Sequence, residues 1–264
     1  MSFITTKAGF KINYAVYGEP DAKHTLLLSH GNGNCIDDWK HLGYIRNLVP
    51  PHRIIVMDAL GYGRSDKPYD PNQYSAKMRA DDVISLMDAL HIDKCHFFGN
   101  SIGGCLGFVL AALYQNRFHS FIIGGAHPYG STKPCSNLWD DESIKLLSQM
   151  SMPQFVAHIE KNWLKQTFPA DVRENFANND PQAIIAANTL PWPDFSATLS
   201  GINVPVMLFA GENDPVAQYV VSLVGQIKFA EIHILKGKNH AQAYWESNEI
   251  TLLVNSFLNA KTFS

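Results

Sequence analysis

Position 101 is a serine within a Gly-x-Ser-x-Gly motif. The segment Gly99-Asn100-Ser101-Ile102-Gly103 follows an apolar stretch at residues 95–98 and precedes a helical apolar pattern at residues 106–114. A sharp turn between a strand and a helix exposes the serine hydroxyl, and glycines flank it because larger side chains would collide with neighbouring backbone. In this context the motif predicts that Ser101 is a nucleophile. The alternative is a serine that only caps the following helix.

A serine hydroxyl is a weak nucleophile near neutral pH, so it needs a histidine base and an acid that orients the histidine. In the matching chain order, the carboxylate follows the serine and the histidine comes last. Asp214 and His240 each follow a further strand-like apolar stretch. The sequence therefore predicts Ser101, Asp214 and His240 as catalytic residues, with Glu212 as the alternative acid.

A second glycine turn, Ser29-His30-Gly31-Asn32-Gly33-Asn34, follows the first interior strand. Taken alone it would be an ordinary turn. Beside the serine turn, however, the backbone N–H groups of Asn32 and Ile102 could stabilise negative charge developing on a carbonyl oxygen. We predict these two amides as an oxyanion hole.

Two glycine pairs test for a nucleotide cofactor. Gly31-Asn32-Gly33 and Gly61-Tyr62-Gly63 follow strands, but the sixth positions of a Gly-x-Gly-x-x-Gly motif are Ile36 and Asp66. Neither His-Glu-x-x-His nor a Cys and His cluster indicates metal ligands. We therefore expect no cofactor and no metal site.

Recurrent short apolar stretches predict the elements that position these residues. Strands alternating with helical patterns indicate an α/β fold with a mostly parallel central sheet of about eight strands and helices on both faces. An alternating pattern near the amino terminus predicts an antiparallel hairpin at one edge. The predicted interior strands lie at residues 25–29, 53–57, 95–98, 120–123, 206–209 and 231–235.

A long segment after the sixth strand interrupts this alternation. Helical patterns at residues 140–150, 154–165 and 181–190 replace strands there, and so long a segment is not a simple loop. We expect a helical cap at residues 129–194 that is not an independent domain, with an α/β core formed by residues 1–128 and 195–264. The alternative is two ordinary crossover helices with additional short elements.

Composition restricts the partners of the chain. A net charge of −3 offers no positive field for nucleic acid. No apolar stretch reaches the roughly 18 residues that a membrane helix needs. The four cysteines show no paired spacing, and no export signal is evident. We expect a cytoplasmic protein, monomeric or homodimeric, that acts on a small-molecule substrate.

Together, His30-Gly31, the serine turn, Asp214 and His240 resemble the α/β-hydrolase superfamily over nearly the whole chain. That resemblance implies an acyl-enzyme mechanism for the three catalytic residues. Among its groups, Gln242 and Trp245 resemble the carbon–carbon bond hydrolases of ring-cleavage products. Ala241 and the single cap arginine, Arg173, depart from that group, and the short length resembles esterases and enol-lactone hydrolases.

The sequence thus predicts a cofactor-independent serine hydrolase of small carboxylic esters or related acyl bonds. Carbon–carbon hydrolysis and a non-enzymatic receptor role are the alternatives. The aromatic content of the cap predicts a mainly apolar pocket, with two or three rings facing the ligand. The candidate substrate-binding residues are His127, Trp139, Trp163 and Trp192.

Overall fold

The computed structural model describes residues 2–132 and 141–260, and its centre is one eight-stranded sheet. The strands are β1 (Ser2–Thr5), β2 (Lys11–Tyr17), β3 (His24–Ser29), β4 (His52–Met57), β5 (Cys95–Asn100), β6 (Phe118–Gly124), β7 (Val206–Gly211) and β8 (Ala230–Leu235). Their order is β1-β2-β4-β3-β5-β6-β7-β8. β1 and β2 form an antiparallel hairpin and β2 is antiparallel to β4, whereas β3 to β8 pair in parallel. The predicted fold class is confirmed.

Eleven α-helices lie within the described residues. They are α1 (Ile36–His41), α2 (Tyr44–Leu48), α3 (Ala76–Ala89), α4 (Ile102–Tyr114), α5 (Asp141–Leu147), α6 (Met152–Ile159), α7 (Ala170–Ala177), α8 (Pro181–Thr189), α9 (Ala217–Ser222), α10 (His240–Trp245) and α11 (Ser247–Ala260). None of them is both long and apolar enough to cross a bilayer.

The sheet is covered on both faces, which explains why its central strands are mostly apolar. Side chains of α3 and α4 pack in one core cluster, and side chains of α1, α2 and α11 pack in the other. β5 and β7 are buried at every position. A strand buried on both faces has no polar side to alternate with, so its sequence is a continuous apolar run.

The segment between β6 and β7 contains helices α5 to α8, which we call the inserted helices. Three of the four lie where helical patterns predict them. The fourth, α7, has no predicted counterpart, because only Val172 and Phe176 of its eight residues are buried and the periodicity is weak. α7 packs against α1 and α6, so contacts with other helices stabilise it.

Four histidines from neighbouring strands meet near the amino ends of β3 to β6. The ring of His24 lies 5.3 Å from that of His52 and 4.9 Å from that of His96, and His96 lies 5.3 Å from His119. His96 Nδ1 is 2.7 Å from Ser120 Oγ. Burial, reinforced by the neighbouring imidazoles, lowers the pKa of His24 to about 4 and that of His96 to about 3. We call these four residues the histidine row.

The histidine row should make the fold sensitive to acid. Because the folded pKa values lie below the unfolded value of about 6.5, the folded state binds fewer protons than the unfolded chain in acid. This contribution to stability is complete above about pH 6.5 and decreases as the pH falls toward 4. For each buried histidine that stays neutral, the free energy of unfolding decreases by about 1.4 kcal/mol for every unit by which the pH falls within that range.

Urea unfolding between pH 7.5 and 4.5 measures this dependence. We expect His96→Gln to reduce the slope of the unfolding free energy against pH. His41→Gln, at an exposed histidine outside the row, is the matched control and should keep the wild-type slope. Equal slopes for His96→Gln and the wild type would contradict the assignment.

Candidate active site

Ser101 occupies a sharp turn between β5 and α4, with φ 55° and ψ −117°. A positive φ is costly for a residue with a Cβ, so surrounding contacts must hold it. The Ser101 N–H donates to Gly124 O at 2.8 Å, which ties the turn to the end of β6. Although Ser101 precedes α4, its side chain makes no capping hydrogen bond. The hydroxyl is therefore available for chemistry, and the helix-cap alternative is not what the geometry shows.

The glycines around this turn are required by close packing. A Cβ on Gly99 would lie 2.0 Å from Gly103 O, and a Cβ on Gly103 would lie 2.3 Å from Ser29 O. Both contacts are with backbone atoms, which cannot rotate away as a flexible side chain can. Glycine therefore lets β5, α4 and the end of β3 approach one another closely enough to form the turn.

His240 and Asp214 complete a hydrogen-bonded chain with Ser101. His240 Nε2 lies 3.0 Å from Ser101 Oγ, and His240 Nδ1 lies 2.7 Å from Asp214 Oδ2. The Asp214 side chain is fully buried and the His240 side chain is 14% exposed. The arrangement places a base beside the hydroxyl and a carboxylate behind the base.

Backbone hydrogen bonds orient the two candidate carboxylates differently. The Val216 N–H donates to Asp214 Oδ1 at 3.0 Å, which leaves the other carboxylate oxygen for His240. Glu212, the alternative acid, is exposed and accepts the Gly237 N–H at 2.8 Å. Of the two carboxylates, only Asp214 reaches the histidine.

The two predicted oxyanion donors lie on turns beside Ser101. Ile102 is the first residue of α4, and Asn32 lies in the turn after β3. Among the described residues, neither amide N–H has an acceptor. A Cβ on Gly31 would be only 3.4 Å from Ser101 Cβ, so the two turns are in close contact. Unpaired N–H groups near a nucleophile are what a developing oxyanion requires.

Buried His30 supports the turn that carries Asn32. Its Nδ1 lies 2.8 Å from Gly31 O, and its Nε2 accepts the Ala59 N–H at 3.1 Å. Burial lowers the pKa of His30, so the ring is neutral and donates from Nδ1. Asp58 is buried nearby, and its carboxylate accepts from the Ile36 N–H and from Asn13 Nδ2. His30 and Asp58 therefore stabilise the turns through these hydrogen bonds.

A cleft of about 530 Å³, including its mouth, opens over Ser101. Its floor is polar and contains Gly31, Asn32, Asn34, Asn100, Ser101 and His240. Its walls are apolar and contain Ile159, Leu164, Phe168, Phe176, Tyr244 and Trp245. The first four wall residues come from the stretch between β6 and β7 that contains the inserted helices, here called the inserted segment. Among the described residues, no lysine or arginine lines the cleft.

Three of the four candidate substrate-binding residues, His127, Trp163 and Trp192, do not line this cleft. His127 and Trp192 line a separate, smaller cavity. The Trp163 ring packs against the rings of Phe155 and His158, with ring centroids 6.0 and 5.5 Å apart. Trp139 lies outside the described residues. Two aromatic residues between β6 and β7 that the sequence points to only as a group, Phe168 and Phe176, do line the cleft.

Several cleft residues escape prediction from sequence. Asn34 and Asn100 lie next to residues of the two glycine turns. The turns predict roles for Ser101 and Asn32, but they predict none for these two asparagines. Tyr244 follows His240 by one helical turn, and this i+4 spacing could have placed it on the same side of α10. Trp245 is indicated by the sequence only through the family resemblance, since i+5 spacing does not place it on the His240 side. For Ile159 and Leu164 the sequence contains no signal that separates a cleft wall from a helix core.

Comparisons with known proteins agree with the fold. A family model described as alpha/beta hydrolase fold matches residues 24–167, more than half of the chain. The 2-hydroxy-6-oxononadienedioate/2-hydroxy-6-oxononatrienedioate hydrolase 1 of Pseudomonas putida is 26% identical, over 94% of this chain and 91% of its own. A protein of Stutzerimonas stutzeri named for carbamate hydrolysis is 29% identical, over 91% of this chain and 95% of its own. A solved hydrolase from Pseudomonas aeruginosa has a TM-score of 0.84 and 26% identity, and 97% of each chain is covered.

The 2.7 Å contact between Asp214 and His240 predicts a spectroscopic signal that needs no substrate. A proton on Nδ1 held by a buried carboxylate should resonate far downfield in the proton NMR spectrum. Asp214→Asn should remove this signal, because an amide donating to Nδ1 favours the other tautomer. Glu212→Gln is the matched control and should keep it. Loss of the signal in Glu212→Gln, with retention in Asp214→Asn, would assign the acid to Glu212.

Proposed function

This chain belongs to the alpha/beta hydrolase fold family, and from that premise we propose that it is a serine hydrolase that cleaves a small carboxylic ester or a related acyl bond. The observation that carries the proposal is the chain of contacts from Ser101 Oγ to His240 Nε2, at 3.0 Å, and from His240 Nδ1 to Asp214 Oδ2, at 2.7 Å. A misaligned site, as expected in a receptor that kept the fold, would not maintain both contacts.

In the proposed reaction, Ser101 Oγ attacks the carbonyl carbon and His240 Nε2 takes the hydroxyl proton. The carbonyl oxygen becomes negatively charged and is stabilised by the Asn32 and Ile102 amides. The protonated His240 then gives its proton to the leaving oxygen, so an alcohol departs and Ser101 carries the acyl group. His240 next deprotonates a water molecule that attacks this acyl-enzyme. The ester bond to Ser101 then breaks while His240 returns this proton to Ser101 Oγ, which releases the acid and restores the hydroxyl.

Asp214 has an electrostatic role in this scheme. Its carboxylate holds the Nδ1 proton in place, which leaves Nε2 free to accept the proton of Ser101. It also stabilises the imidazolium that forms, and the buried position of Asp214 strengthens that interaction because little water screens it.

We propose that the substrate is small and apolar around its scissile bond. Phe168, Phe176 and Trp245 on the cleft walls offer aromatic surface for an acyl or alcohol group. In this proposal residues 129–194 act as a cap on a core of residues 1–128 and 195–264, since Ile159, Leu164, Phe168 and Phe176 of that segment form one side of the cleft.

Carbon–carbon bond hydrolysis is the second candidate, because the Pseudomonas putida relative is named as a hydrolase of 2-hydroxy-6-oxononadienedioate, a keto diacid that has no ester bond to cleave. The cleft argues against an anionic substrate of that kind. Arg173 does not line the cleft, and its Nε instead contacts both carboxylate oxygens of Glu160, at 3.0 and 3.1 Å. An ester without a carboxylate is therefore the better match.

Ser101→Ala tests the nucleophile. We expect kcat for p-nitrophenyl acetate or butyrate to fall by about 10³-fold or more, because the covalent route is lost. Labelling by a fluorophosphonate probe should disappear in the same variant. Ser131→Ala, at an exposed serine, is the control and should keep both activities. Wild-type turnover in Ser101→Ala would overturn the proposal.

A substrate panel separates the two candidate reactions. We expect kcat/KM for short-chain p-nitrophenyl esters to exceed that for a vinylogous diketone bearing a carboxylate. Arg173→Met should leave ester turnover within about twofold of the wild type, because this side chain is paired away from the cleft. Preference for the diketone, together with loss of that activity in Arg173→Met, would favour carbon–carbon hydrolysis.

A further inference from the structure

The turn at residues 31–34, here called the oxyanion turn, is in contact with two of the inserted helices. Asn32 in this turn supplies one of the proposed oxyanion donors through its backbone N–H. Its side chain points to α8, whereas the neighbouring Gly33 contacts α7 and the residues that follow it. The inserted segment therefore touches the oxyanion turn as well as the cleft.

The side chain of Asn32 is held at both of its polar ends. Asn32 Nδ2 donates to Asn188 Oδ1 at 2.6 Å, and the Tyr62 hydroxyl donates to Asn32 Oδ1. Asn188 Nδ2 is 3.3 Å from Asn32 Oδ1 and from the Tyr62 hydroxyl, and it donates to Ile184 O at 2.7 Å. The side-chain amide of Asn188 and the buried hydroxyl of Tyr62 thus fix the orientation of the Asn32 side chain.

A second contact secures the other side of the turn. Asn179, between α7 and α8, is buried, and its Nδ2 donates to Gly33 O at 2.7 Å. The Phe176 ring occupies the space where a Cβ on Gly33 would lie, 2.3 Å from the nearest ring carbon. The inserted segment therefore restrains the Gly33–Asn34 peptide group, which is next to the Asn32–Gly33 peptide.

Helix α8 is itself fixed to the core, so it can serve as a reference for the turn. The buried Arg79 of α3 donates from Nη2 to Ala187 O at 2.5 Å and from Nε to Tyr74 O at 2.9 Å. The guanidinium also lies 5.6 Å from the Trp192 ring. Ala187 precedes Asn188 directly, so this anchor lies next to the residue that holds Asn32.

From these contacts we infer that Asn188 is a positioning residue, which acts through the Asn32 side chain to aim the Asn32 N–H at the substrate oxygen. The inference rests on the proposed function of the site. It assigns the inserted helices a part in stabilising the transition state, beyond covering the cleft. Asn188 does not line the cleft, so its effect on turnover must pass through Asn32.

A positioning role predicts a particular kinetic pattern. Complete loss of an oxyanion donor reduces kcat by about 10²- to 10³-fold. A donor that is present but no longer held should cost part of that, about 10- to 50-fold in kcat. KM should stay within about threefold, because the donor interacts strongly only with the charged oxygen of the transition state.

Asn188→Leu tests this pattern, because leucine keeps the volume and removes both hydrogen-bonding atoms. Thr189→Val is the matched control. Thr189 is exposed on the same helix, and its hydroxyl donates to Ile185 O at 2.8 Å. The variant therefore loses an equivalent side-chain hydrogen bond to the helix backbone without changing a contact of the oxyanion turn. We expect kcat for p-nitrophenyl butyrate to fall 10- to 50-fold in Asn188→Leu and to be retained in Thr189→Val. Ethylboronic acid, whose tetrahedral adduct with Ser101 places an oxygen between the donors, should bind more weakly by a similar factor.

A double-mutant cycle with Asn32→Ala, which keeps the backbone N–H, gives a second readout. If Asn188 acts through the Asn32 side chain, Asn188→Leu should have little further effect on kcat in the Asn32→Ala background. Additive effects of the two substitutions would overturn the inference, as would a wild-type kcat in a folded Asn188→Leu protein. Should Asn188→Leu fail to fold, Asn32→Ala alone decides: unchanged kcat and boronate affinity there would also overturn it. A wild-type protein that neither hydrolyses esters nor labels at Ser101 would instead refute the proposed function itself.

Discussion

The strained turn at Ser101 is the constraint on which the rest of the site depends. A non-glycine residue at φ 55° costs on the order of 1–3 kcal/mol, and it persists only where neighbouring structure leaves no alternative. Here the buried helix α4 packs on the sheet immediately after the turn, and the Ser101 N–H is held by Gly124 O. Gly103 passes so close to Ser29 that the oxyanion turn after β3 must lie beside Ser101. The strand ends are therefore brought together by the same packing that exposes the hydroxyl.

Much of this arrangement could be predicted from the sequence, because its determinants are local. Glycine at positions 99 and 103 is dictated by backbone contacts within a short turn, and β7 is recognisable as an uninterrupted apolar run. Once the sheet is parallel, residues that follow strand ends meet at one edge. That rule brings Asp214 and His240 to Ser101, and the contacts in the structure agree with it.

Other features depend on contacts between distant segments and could not be predicted. Helix α7 has only two buried residues, so its own periodicity is weak and its stability comes from packing on α1 and α6. The tryptophans of the inserted segment were candidates for the cleft because aromatic side chains suit both a core and a pocket. Trp163 belongs to the packing of α6, and Phe176 faces the cleft. The histidine row requires the register of four strands, which no local pattern in the sequence specifies.

The central claim is that Ser101 carries the acyl group during turnover, and rapid chemical quenching tests it most directly. The wild-type protein is mixed with p-nitrophenyl butyrate, quenched in acid within milliseconds and digested for mass spectrometry. The account predicts a peptide containing Ser101 that is heavier by one butyryl group, formed and lost at rates consistent with kcat. Turnover without any acylated peptide, or with the butyryl group on a different residue, would contradict it.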